Sequence, residues 1–136
     1  MAEWSLARLD EIPTDRTPEW WSEWSRTQNY GGGWHSIRKH FGIEAFGVNA
    51  IDAGPGEELI VPHDELDYGN QEELYYLVSG RARFVVGGEE VELAAGDLLH
   101  VPADVRREAT ALDEGTRLFM VGGTPGRPYE RWDEKW

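Results

Sequence analysis

From Trp34 onward, apolar and polar residues alternate with a period of two over short stretches. This is the pattern of strands that bury one face. Across Ile43–Ile51, Phe46, Val48 and Ala50 oppose Ala45, Gly47 and Asn49, and Ala53-Gly54-Pro55-Gly56 then makes a turn. Further strands are predicted at Glu58–Val61, Glu72–Ser79, Arg81–Val86, Glu89–Leu93, Asp97–Val101, Arg107–Leu112 and Thr116–Gly122. Between two of them, Gly87-Gly88 supplies the positive φ of a two-residue hairpin. Short strands, even spacing, glycine-rich turns and no long helical pattern predict an all-β sandwich or barrel.

The first part of the chain reads differently. Ser5–Ile12 is compatible with a short helix or a strand, and Pro13 and Pro18 break any continuation of it. Trp20, Trp21 and Trp24 come next, and Gly31-Gly32-Gly33 forms a joint before the regular part begins. The expected division is an N-terminal arm over 1–33, a barrel over 34–124 and a C-terminal tail over 125–136. Seven tryptophans are many for one small core. Trp is enriched at interfaces, so the arm is expected to pack over the barrel or across a homodimer interface.

A chain of 136 residues suits one domain with a real core. Its net charge of −13 argues against nucleic acid and anionic membranes as partners, because both select a basic surface. The absence of cysteine excludes disulfides, thiolate metal sites and cysteine nucleophiles. No apolar run approaches the ~20 residues of a membrane span, and Met1-Ala2-Glu3-Trp4 lacks the pattern of a signal peptide. A cytoplasmic location is the resulting expectation.

The stretch Gly56–Ala111 resembles the cupin superfamily, whose two motifs are G-x5-H-x-H-x3/4-E-x6-G and G-x5-P-x-G-x2-H-x3-N. Glu73 to Gly80 matches the end of the first, and Gly96 to Pro102 matches the start of the second. The resemblance implies a cupin-type double-stranded β-helix, a jelly-roll barrel, preceded here by the Trp-rich arm. It also implies a metal held inside the barrel by three histidines and a glutamate, and there the match fails. The first two histidine positions fall on Leu66 or Asp67 and on Tyr68 or Gly69, and the third falls on Arg107. A guanidinium has no lone pair to donate, so Arg107 cannot ligate a cation. The family positions of Glu73 and Arg107 make the two side chains converge, so Arg107 is expected to pair with Glu73 in place of a metal.

The alternative is that His63-Asp64-Glu65 takes the H-x-H role ahead of a longer loop. His63, Glu65 and Glu73 would then hold iron, manganese or zinc. Strand parity puts Tyr75 and Leu77 on the face of Glu73. The expected ligand pocket is therefore His63, Glu73, Tyr75, Leu77, His100 and Arg107, with His100 as a wall. His35 and His40 read as surface or rim residues without a role. Two functions compete. One is a barrel that binds a small molecule without metal or other cofactor. The other is an enzyme, either a metal-dependent oxygenase or isomerase on His63, Glu65 and Glu73, or a metal-free isomerase with His63 as base, Tyr75 as acid and Arg107 holding an anion. A dimerisation module with a filled interior is a third class.

Overall fold

A computed structural model describes residues 3–18 and 29–126. A 3-10 turn at Leu9–Glu11 leads into β1 (Thr14–Asp15), and β2 (Trp34–His35), helix α1 (Ile37–Phe41) and β3 (Gly47–Ala53) come after it. The remaining strands are β4 (Glu58–His63), β5 (Glu72–Ser79), β6 (Arg81–Val86), β7 (Glu89–Ala94), β8 (Leu98–Val101), β9 (Arg107–Ala111) and β10 (Thr116–Gly123). They form two antiparallel sheets, in the orders β1-β2-β3-β10-β5-β8 and β4-β9-β6-β7. This is the all-β architecture expected from the strand rhythm, in the jelly-roll form that the family resemblance implies.

Alternation within the strands builds the core between the sheets. In β5, Tyr75 and Leu77 are buried while Leu74, Tyr76 and Val78 are exposed. The register sets Leu77 beside Leu118 and Tyr75 beside Met120 on the inner face. Ile51, Leu59, Phe84, Val101 and Leu118 complete the set of large, fully buried apolar side chains, each contributing roughly 1.5–3 kcal/mol through burial. The Tyr75 and Phe84 rings meet at 5.4 Å between centroids. Gly87 and Gly88 both have positive φ, 57° and 84°, as the two-residue hairpin requires. Gly80 closes the β5–β6 turn at φ 77°, where a Cβ would lie 2.3 Å from Thr116 Oγ1.

Three local expectations are revised. The strand read at Ile43–Ile51 is shifted to Gly47–Ala53. Trp34–His35 and Thr14–Asp15 pair with each other and extend the larger sheet, so part of the arm belongs to the barrel. His35 is not a rim residue: it is 3% exposed, with Nδ1 2.8 Å from Ile12 O and Nε2 2.8 Å from Asp52 Oδ2. Arg117 binds Asp52 at 2.6 Å and reaches Asp10 at 2.6 Å, which fastens the 3-10 turn to β3 and β10. His40 stays exposed on α1. Trp20, Trp21 and Trp24 lie outside the described residues. Among the described residues no helix is long and apolar enough to cross a membrane.

Candidate functional site

Three strands and one turn bring a polar cluster to the inner face. His63 ends β4 and stands opposite Arg107 of β9. The chain then turns on Asp64, whose Oδ1 accepts the amide of Leu66 at 3.1 Å. Glu65 is pinned by its backbone: its N–H donates to Ala103 O at 2.9 Å, and its carbonyl accepts from Tyr68 and Asn70 at 3.1 and 2.9 Å. Glu73 and Tyr75 come from β5 by the period-two rule.

The side chains converge on one carboxylate oxygen. Glu73 Oε1 accepts from Tyr75 Oη at 2.7 Å and from Arg107 Nη1 at 3.3 Å, and His63 Nε2 lies 3.9 Å away. Arg107 Nη1 is also 3.6 Å from Glu65 Oε1. The same guanidinium donates through Nη2 to Pro102 O at 2.7 Å and Val101 O at 3.4 Å. Arg107 is fully buried, and its Nε has no hydrogen-bond partner. One coordinating atom each from His63, Glu65 and Glu73 falls within 4.8 Å of the others.

His63 has two partners that can only accept. Nδ1 is 2.6 Å from Val61 O and Nε2 is 2.9 Å from Glu65 Oε1. Satisfying both places a proton on each ring nitrogen. Burial opposes that charge, but the Glu65 hydrogen bond and the Val61 carbonyl outweigh it and raise the pKa. An imidazolium has no free lone pair, so in this state His63 is neither a base nor a metal ligand. Glu73 is also raised, by burial first and by the nearby Glu65 carboxylate, against the opposing pull of Tyr75 and Arg107. Burial, and after it the negative Glu73, pushes Tyr75 well above the ordinary phenol range, so it remains a donor.

The signs give a pH dependence. Both His63 and Glu73 hold protons more tightly folded than unfolded. Their contribution is fully present below the unfolded pKa values and is lost as pH rises through the folded ones. Urea unfolding midpoints should therefore decline from pH 6 to pH 9, and His63→Asn should flatten the slope. A midpoint that climbs over that range would contradict the assignment.

The structure brings His63, Glu65, Glu73, Tyr75 and Arg107 together. Leu77 shares their strand face but is fully buried within the apolar core. His100 is a correction. It is exposed on the outer face and bonds Glu72 at 2.8 Å, because β8 pairs with β5 in a register that sets His100 opposite Leu74 and Val101 opposite Glu73. Asp67 is exposed as well. The Val101 and Pro102 carbonyls that hold the guanidinium carry no signal in the sequence.

A cupin-domain family model matches residues 52–122. An uncharacterised protein of Streptomyces coelicolor is 35% identical over 79 residues, covering 58% of this chain and 69% of that protein. Among solved structures, a sugar phosphate isomerase of the cupin superfamily from Silicibacter pomeroyi superposes with a TM-score of 0.69 at 20% identity, covering 89% of this chain and 77% of the other. A predicted oxalate decarboxylase from Thermotoga maritima gives 0.64 at 17% identity, covering 87% and 97%. At such identities the likeness is one of fold.

Proposed function

The chain belongs to the cupin family, and from that premise we propose that it is a small-molecule-binding barrel whose interior carboxylates are held by Arg107 and His63 in place of a metal ion. The observation that carries this reading is Arg107 Nη1, 3.3 Å from Glu73 and 3.6 Å from Glu65. A divalent ion on those carboxylates would sit beside a buried guanidinium, and like charges at that range repel strongly in a poorly solvated interior. His63 would also have to give up its proton to Glu65 or to solvent. The residues present therefore fit the family's metal poorly.

The part of the cluster that meets solvent is His63, with a side chain 23% exposed, next to Glu73 at 14%. Both His63 N–H groups are committed to Val61 and Glu65, so the group offered to a ligand is the Glu73 carboxylate, an acceptor that suits a ligand hydroxyl. Tyr75 and Arg107 are fully buried, so their part is to orient and charge-balance Glu73. The ligand class proposed is thus a small polar molecule bearing hydroxyl groups.

Total metal analysis of protein purified without chelator tests the reading, with metal expected far below one ion per chain. A stoichiometric ion would overturn it. A second reading, a metal-dependent cupin enzyme using iron, manganese or zinc, is supported by the 4.8 Å grouping of His63, Glu65 and Glu73. It requires Arg107 to leave its present position.

A further inference from the structure

On the outer side of the smaller sheet, Glu58 of β4 stands opposite Thr110 of β9, on the face that Ala109 and Ala111 turn away from. Glu58 is 8% exposed. Its Oε1 is buried without a hydrogen-bond partner. It lines a cleft of about 140 Å³ together with Asn29, Ile60, Pro62, Glu108 and Thr110, and among the described residues lining that cleft none is a cation.

We propose that this cleft is a binding site for a small organic cation, a primary ammonium or guanidinium on a short aliphatic stem. A buried, unpaired carboxylate is costly, and a proton or a cation relieves the cost most fully. Glu108 on β9 adds a second negative charge on the same face. Among the described residues it is the one other titratable group lining the cleft, since Asn29, Gly56, Ile60, Pro62, Ala109 and Thr110 are neutral. Two carboxylates with a hydroxyl nearby supply the few acceptors that an ammonium or guanidinium needs. They fall short of the six to eight oxygens of a calcium site. Pro62 gives an aliphatic stem an apolar wall. Burial first, and Glu108 second, raise Glu58 to about 7. Proton and cation therefore compete for the same carboxylate near neutrality. This site is separate from the interior cluster and contains none of its residues.

Amide NMR spectra of the full chain, titrated with putrescine at pH 6 and pH 8, test the site. Sodium chloride at matched ionic strength and calcium chloride serve as parallel probes. Putrescine stays protonated at both pH values. It is expected to cause saturable shifts at the amides of Ile60, Ala109 and Thr110. Affinity should be about tenfold tighter at pH 8, in proportion to the ionised fraction of Glu58. Glu58→Gln should abolish the response, and Glu108→Gln should weaken it. The proposal is overturned by the absence of saturation, by binding that survives Glu58→Gln, or by calcium saturating these amides when putrescine does not. If Glu58→Gln does not fold, unchanged affinity in Glu108→Gln overturns it equally.

Discussion

Arg107→Ala should destabilise the fold by about 3–5 kcal/mol, measured by urea unfolding near neutral pH. The residue is fully buried at the inner face of β9 and binds Glu73 together with two backbone carbonyls. Truncation leaves His63 as the one cation beside Glu65 and Glu73 among the described residues, and takes a donor from the carbonyls of Val101 and Pro102, of which Pro102 keeps the amide of Val105. An unsatisfied buried group costs about 1–3 kcal/mol and an uncompensated charge more. The loss in Arg107→Ala should shrink when Glu73→Gln is added, because the neutral amide no longer needs the guanidinium. Loss of packing alone would leave the two substitutions additive. A single-variant cost below about 1 kcal/mol, the scale of a surface pair, would mean that the ion pair is not buried in solution.

The fold is more legible in the chain than the site, and the reason lies in what each depends on. Strand alternation is local, so β5, β6 and the Gly87-Gly88 hairpin can be read directly. The shared facing of Glu73, Tyr75 and Leu77 comes from the same period. Which strand lies beside which, and in what register, is not local. Parity alone puts His100 in the pocket, because parity is visible in the sequence and the pairing partner is not. Pairing with Leu74 turns it outward, and a one-residue slip would have reversed that. His35 reads as a rim residue for a related reason: its burial depends on Ile12 and Asp52, residues 23 and 17 positions away. Glu65 is legible only as a substitute ligand. Its place is set by a backbone bond to Ala103 from a turn that no periodicity describes. The imidazolium state of His63 is invisible in the sequence, since it requires both acceptors to be seen at once.

Arg107→His should convert the cluster into a metal site, with affinity for zinc or ferrous iron more than about tenfold above that of the unaltered chain. The change removes the charge that stands 3.3 and 3.6 Å from the two carboxylates, and it adds a nitrogen ligand from the strand position facing His63. Together with the three coordinating atoms already within 4.8 Å, an imidazole there completes a nitrogen and carboxylate set suited to these ions. His63 must lose a proton to take part, and its pKa is raised in the present cluster. Binding should therefore release protons and strengthen as pH rises. Calorimetric titration with zinc in two buffers of different ionisation enthalpy reads affinity and proton release together. Glu65→Gln on the Arg107→His background should weaken zinc, since it removes one ligand charge. If Arg107→His folds and yet binds no better than the unaltered chain, the guanidinium is not what keeps metal from these carboxylates, and the geometry around His63 must be the barrier instead.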